Sequence, residues 1–410
     1  MRWARVVRSA GGAAQQAASQ QGMRRQNLAL VLRTVADHGP LSRAEVAART
    51  GLTRAAVSSL VTELTEPAVL GEAEPEPTGR VGRPGAALTV SERGPAGIGL
   101  EIGVGHLAAC AVDLCGRVRA ERRSEGANRG RPSGEVLAEL AGLAAAVAEQ
   151  VAADGLRPVG LGVAVPGLVG GRPGAVQHAP NLDWREVPVR ELISPQLDCG
   201  LAGLEIVLEN EANLGALAEL RAGAGSPDMV HLSAEAGIGA ALLVEGRLFR
   251  GARGFAGELG HMPVHPEGRR CACGARGCLE RYAGLAEVLR AAGVDDRAGG
   301  DGVALLAERA GAGDEAALAA LDGAGRALGI ALAGAVNLMD PAAVVLGGAY
   351  AQLAGWLLPP VAAELAERVT VRPWEPGALR GSALGRTGPL LGAALLTVDR
   401  IMNDPASLAR

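Results

Sequence analysis

Residues 258–280 read ELGHMPVHPEGRRCACGARGCLE, and this stretch decides how the rest of the chain is understood. His261 lies ten residues ahead of a C-x-C-x4-C cluster formed by Cys271, Cys273 and Cys278. Three thiolates and one imidazole make the donor set of a closed tetrahedral site, so the expected cofactor is a structural Zn2+. Gly274 and Gly277 stand between the thiols, where a loop turning around an ion profits from positive φ. A disulfide or ordinary buried thiols are the alternatives. A disulfide is disfavoured because the opening, MRWARVVRSAGG, lacks the apolar core of a secretory signal and cytosolic thiols stay reduced. Glu258 and Glu280 bracket the cluster without being needed as ligands. The metal would therefore fix a loop that presents acids to something else. Cys110, Cys115 and Cys199 lie far apart or in apolar runs and are expected to be small core residues.

Outward from this stretch, 410 residues suit two or three domains. Aromatic residues make up only 2%, so Ala, Leu and Val must fill the cores. All 40 basic residues are Arg, which beside so much Ala and Gly reads as codon bias. Residues 1–90 hold 11 Arg against 7 acids, whereas the remainder holds 29 against 37. A basic head on an acidic body places any anionic partner at the head. No apolar run is read as approaching the ~18 residues that span a bilayer, so a cytoplasmic protein without a membrane partner is expected.

Residues 1–22 are small and polar and are expected to be a disordered tail. Beyond them, Leu28, Leu30, Val31, Leu32 and Val35 predict an amphipathic helix ended by His38-Gly39-Pro40. Ser42 with Glu45 three residues on predicts a capping box opening a second helix. Gly51 supplies the corner, and Thr53 caps a third helix running to about Glu66. The polar side chains Thr53, Arg54 and Ser58 fall where a recognition helix meets the major groove. GRVGRPGAALTV reads as a hairpin wing with Arg80 and Arg83 at its tip, facing phosphate or the minor groove. Residues 23–90 thus predict a winged helix-turn-helix that binds double-stranded operator DNA. Pro67 should stop the third helix early.

From Gly97 strand-like and helical runs alternate, predicting a layered α/β body. Strands are expected at 98–104, 107–113, 117–121, 159–165, 229–233 and 343–346, and a helix at 135–152. The AVPG loop (Ala164 to Gly167), the ENEAN run (Glu209 to Asn213), ELGH and CACGARGCLE together resemble the ROK family of bacterial repressors, open reading frames and sugar kinases. The resemblance covers nearly the whole chain after residue 23. It implies an actin-like (ribonuclease H-like) two-lobed sugar-kinase fold behind the winged head. Lobe 1 would span 97–224 with a C-terminal helix at 388–402, and lobe 2, with the zinc loop, 225–387. It places Asn210, Glu211, Glu258, His261 and Glu280 at sugar-contacting positions, with Gly167 on a loop approaching the sugar. Carboxylates, amides and imidazole are the groups that discriminate hydroxyls, which donate and accept at once.

The same resemblance argues against phosphoryl transfer. Where the kinases carry a catalytic Asp, this chain carries Glu211, a vestigial base whose longer side chain misplaces the carboxylate by about an ångström, an error that can cost ~100-fold. The first phosphate loop, D-x-G-x-T in the kinases, reads Glu101-Ile102-Gly103-Val104-Gly105, and the second, G-T-G-x-G, reads Glu235-Ala236-Gly237-Ile238-Gly239. The reading is a sugar-responsive transcriptional regulator, a repressor of carbohydrate genes, acting as a homodimer or homotetramer. Xylose, glucose, an N-acetylated hexosamine and a sugar phosphate all remain compatible effectors. The alternative is an ATP-dependent sugar kinase with an appended DNA-binding head.

Overall fold

The computed structural model describes residues 20–73, 86–170, 173–222, 225–295 and 299–409. The chain divides into two compact units, Met1–Gly94 with Asp399–Arg410, and Pro95–Val398.

In the first unit, helix α1 (Gln20–His38) buries Leu28, Val31, Leu32 and Val35. It begins before Arg24, so residues 20–22 of the expected tail are helical; residues 1–19 lie outside the described residues. Helix α2 (Arg43–Thr50) opens with the predicted capping box: the Glu45 amide donates to Ser42 Oγ, and the Ser42 amide donates to Glu45 Oε2 at 2.8 Å. Gly51 closes it at φ 72°. Helix α3 (Arg54–Thr65) is capped by Thr53 and buries Val57, Leu60, Val61 and Leu64. Just before Pro67 the helix stops, and the chain turns through Ala68 into strand β1 (Leu70–Ala73), antiparallel to β2 (Ala87–Val90). The ribbon is present, but Arg80 and Arg83 lie outside the described residues. The C-terminal segment joins this unit, with Arg25 Nε donating to Asp404 Oδ1 at 2.9 Å.

The second unit holds two sheets of matching topology. In the first lobe β3 (Gly94–Ile102), β4 (His106–Asp113) and β5 (Val118–Glu125) form an antiparallel meander. Helix α4 (Ser133–Ala153) packs on it and leads to β6 (Leu156–Val165). A small antiparallel sheet follows, β7 (Leu168–Val169), β8 (Val176–Ala179) and β9 (Trp184–Val187), then α5 (Val189–Ile193), β10 (Ile206–Asn210) parallel to β6, and α6 (Glu211–Arg221). The resulting order is β10-β6-β3-β4-β5. The second lobe repeats the scheme: β11 (Met229–Ala234), β12 (Ile238–Val244) and β13 (Arg247–Leu248) are antiparallel. After α7 (Glu280–Ala283), α8 (Leu285–Ala291), α9 (Gly299–Gly311) and α10 (Glu315–Met339) come β14 (Ala343–Gly348), α11 (Ala349–Gln352), α12 (Ala354–Arg368) and β15 (Leu379–Gly381). That order is β13-β12-β11-β14-β15.

The cores are built from Leu, Val and Ala, as the scarcity of aromatics required. Helix α13 (Gly388–Asn403) lies so close on the first sheet that a Cβ on Gly162 would overlap the Ala393 carbonyl oxygen, and one on Gly99 that of Leu390. Two helices, α4 and α10, are long and apolar enough to cross a membrane, contrary to the reading that no such run exists. Their Ala-rich faces are spent instead on the cores: Val136, Leu140, Val147 and Val151 of α4, and Leu321, Leu328, Leu332 and Val336 of α10, are buried. Cys115 and Cys199 are exposed and not core residues; only Cys110 of that trio is buried.

Candidate functional site

The cysteine loop closes on itself through backbone bonds. The Cys271 amide donates to Ala275 O and the Gly277 amide to Arg269 O, while Leu279 bonds back to Met262. These bonds bring His261, Cys271, Cys273 and Cys278 together, with all ligand atoms within 4.8 Å of one another. The Cys273 and Cys278 sulfurs are 3.7 Å apart. That is far beyond a disulfide and close to the ~3.8 Å edge of a tetrahedron with 2.3 Å metal–sulfur bonds. The donor set therefore fits a metal ion. His261 turns Nδ1 toward Cys271 at 4.0 Å and Nε2 toward Glu258 at 3.8 Å, so one ring serves both the thiol cluster and the acid beside it.

Gly277 is required twice over, by φ 73° and because a Cβ would overlap the His265 carbonyl oxygen. Gly277→Ala is expected to cost roughly 2 kcal/mol or more and to lower Tm by several degrees. A melting curve matching the parent protein would show that the loop is not held this way.

The first lobe contributes the start of α6. Asn210 caps that helix, Oδ1 accepting from the Ala212 and Asn213 amides at 2.8 and 3.3 Å, and Nδ2 donates to the Gly167 carbonyl at 2.9 Å. Gly167 adopts φ 95° and lies against His178 and Ala179. Glu209 anchors the same turn. Its Oε1 accepts from the Asn210 amide and from Asn213 Nδ2, while its Oε2 accepts from Arg250 Nη2 at 2.6 Å. Arg250 belongs to the second lobe, so this carboxylate bridges the two. Glu280, first residue of α7, accepts from the Ile238 amide at 3.3 Å. A Cβ on Gly237 would sit 3.0 Å from Glu280 Oε2 and 3.3 Å from Asn181 Nδ2. Asn181 and Arg250 thus join the site unforeseen; only long-range pairing reveals them. Burial raises the Glu258 pKa, with His261 opposing and Glu280 adding to the rise.

Glu211 begins α6 and meets the two altered loops. Its carboxyl is pushed up to about 8, first by burial, then by the charges of Glu235 and Glu101. Glu235, in the second of these loops, accepts from both arms of Arg386, at 3.0 and 2.6 Å. Burial still raises the Glu235 pKa against that guanidinium. In the first loop the His106 ring packs over Gly103, and its Nε2 lies 3.3 Å from Glu101 Oε1. Glu101 Oε2 is buried without a hydrogen-bond partner.

In the first unit Thr53, Arg54 and Ser58 are exposed together at the start of α3. The Thr53 hydroxyl is engaged in its cap, accepting from the Ala56 amide at 3.2 Å.

Residues 97–400 match the sequence model of the ROK family. The chain belongs to the ROK family. Along 94% of its length it is 28% identical to the xylose repressor of Bacillus subtilis, covering 98% of that protein. A ROK family transcriptional regulator, a homologue of the E. coli MLC protein, superposes with a TM-score of 0.75 over 93% of this chain and 97% of its own, at 23% identity. The ROK family glucokinase of Streptomyces griseus, solved with glucose and AMPPNP, superposes with a TM-score of 0.62 at 27% identity, over 73% of this chain and 98% of its own. The body accordingly has the actin-like two-lobed ROK fold, with an N-terminal domain ahead of it.

Proposed function

We propose that this ROK protein is a sugar-responsive transcriptional repressor of carbohydrate genes, working in the cytoplasm as a homodimer or homotetramer on operator DNA. The observation that carries this reading is the similarity to a xylose repressor across head and body alike, where the glucokinase accounts for the body only. The head is read as a winged helix-turn-helix with α3 as its recognition helix. Thr53, Arg54 and Ser58 stand at the exposed end that such a helix offers to base edges. Arg80 and Arg83 are assigned to phosphate or minor-groove contact at the wing.

In the body, Asn210, Glu211, Glu258, His261 and Glu280 are assigned to a sugar, with Gly167 shaping the floor. The Asn210 amide is largely engaged in capping α6, so its part is mainly to fix where Glu211 and the Gly167 turn stand. A structural Zn2+ is assigned to His261, Cys271, Cys273 and Cys278; it supplies a fixed anchor for the His261 ring. The chain is read as no enzyme, because Glu211 shares its surroundings with Glu101 and Glu235 where a kinase would need room for phosphate and magnesium. Sugar then acts by differential affinity for two states of unequal operator affinity.

The test is fluorescence anisotropy of the full chain on DNA from upstream of its own gene, at fixed salt, with xylose, glucose and N-acetylglucosamine. One sugar is expected to shift operator affinity at least tenfold. Binding that no sugar alters defeats the sensor reading, and ATP-dependent phosphorylation above the Glu211→Ala background favours the kinase. Arg54→Ala is expected to cost about 1–3 kcal/mol in operator affinity and to relax discrimination between operator and random DNA. A uniform loss on both DNAs would move Arg54 to the phosphate backbone.

A further inference from the structure

We infer that helix α13 carries the state of the assigned sugar site to the head, and that Asp404, just past its end, is the residue through which sugar alters operator affinity. This rests on the sensor reading above and names the element that performs the regulation. The chain passes between the two units twice, at the start of β3 and near the end of α13. These two elements are packed on each other. A Cβ on Gly97 of β3 would overlap Thr397 Oγ1 and the Ala394 carbonyl oxygen, and one on Gly99 would overlap that of Leu390. On the helix itself, a Cβ on Gly392 would overlap the Leu214 carbonyl oxygen of α6. Backbone lies on backbone at these points, so α13 has no room to slide or turn in its seat.

The start of α13 is fastened to two elements that carry assigned sugar residues. Arg386, two residues ahead of the helix, grips Glu235 with both arms. Glu235 opens the turn between β11 and β12, whose Ile238 amide donates to Glu280. Ser382 Oγ donates to Glu219 of α6 and accepts from the Leu384 and Gly385 amides at 3.0 and 2.8 Å. The same α6 begins at the Asn210 cap and Glu211.

The far end of α13 is built into the head. Arg25 of α1 donates to both carboxylate oxygens of Asp404, through Nε at 2.9 Å and through Nη2. Arg33, eight residues further along α1, donates to Asn403 Oδ1. Ile401, Met402 and Pro405 are buried, and the closing turn, Pro405–Ala409, packs on α1. Pro405 and Leu408 line a cavity of about 290 Å³ together with Leu28 of α1 and Leu64 of α3, the helix read as the recognition helix. A helix of 16 residues spans about 24 Å and is stiffened by its own ladder of hydrogen bonds, so what moves its first turn also moves its last.

The test is a mutant cycle on the Arg25–Asp404 pair in the full chain, read by operator anisotropy with and without xylose, glucose or N-acetylglucosamine. The parent's shift of at least ~10-fold is expected to fall to about twofold in Asp404→Ala, since a surface ion pair carries at most about a fivefold share. Reciprocity supplies a second readout by calorimetry. Operator DNA should change the sugar affinity of the parent by the same factor as sugar changes operator affinity, and should leave that of the variant nearly unaltered. Arg25→Asp should uncouple to the same degree, and combining it with Asp404→Arg should bring back a shift of at least ~5-fold. A merely structural pair would lower operator affinity equally with and without sugar and leave the shift intact, which overturns the inference. Single variants whose loss the reversed pair does not repair overturn it as well. If no sugar of the panel shifts the parent, the sensor reading itself fails and the inference with it.

Discussion

Replacing Cys278 by Ser is expected to strip the protein of its metal and, with it, of any response to sugar. The parent chain should carry about one zinc per molecule, and the variant close to none. Cys278 is fully buried and lies 3.7 Å from Cys273, so the loss is not repaired from solvent. The loop from Met262 to Leu279 then depends on its few backbone bonds and on Gly274 and Gly277 in left-handed turns, which an unrestrained chain leaves readily. A stability loss of about 3 kcal/mol or more follows, seen as a Tm lower by several degrees. Sugar affinity should drop at least ~10-fold, because the ring that loses its metal on one nitrogen is the ring that faces Glu258 with the other. A freshly purified parent protein without metal would refute the site, and unchanged sugar affinity in the variant would separate the metal from the cleft.

The second large effect is a dependence of stability on pH that Glu211→Gln should remove. With a folded pKa of about 8 against an ordinary value of 4.5, the native protein keeps a proton on Glu211 that the unfolded chain has already released. Stability from this group is therefore greatest below about pH 4.5 and is lost progressively as pH rises through 8. At 1.36 kcal/mol per unit, and allowing for partial solvent access, the loss is roughly 2–4 kcal/mol. Glutamine keeps the size without the charge, so the variant should match the parent near pH 4 and exceed it by that amount at pH 8.5. Urea unfolding at both pH values measures the difference, and subtracting the two proteins cancels every other titrating group. Parallel curves would mean that the carboxyl is better solvated than its burial suggests.

Much of this was readable from short-range pattern. The Ser42–Glu45 capping box and the Cys/His cluster involve neighbours in sequence whose geometry follows from spacing. The pairs around the candidate site residues span long stretches of chain: Glu235 with Arg386, Glu209 with Arg250, and Asn181 beside Glu280. No local period marks them, because tertiary folding alone selects the partner. The attachment of Asp404 to Arg25 was invisible for the same reason. The misjudged apolar helices have another cause: runs of Ala and Gly look mild residue by residue, yet a whole window reaches a mean hydropathy of 1.5 in α4. Cys115 and Cys199 were misplaced because thiol burial is a tendency of the residue type and carries no positional signal.

Glu209 divides its two oxygens between tasks, one holding the Asn210 turn and the other gripping Arg250 across the lobes. Drawing the lobes apart pulls on the same carboxylate that sets the first turn of α6. A displacement of Arg250 would thus be felt at the first turn of α6 through that one side chain.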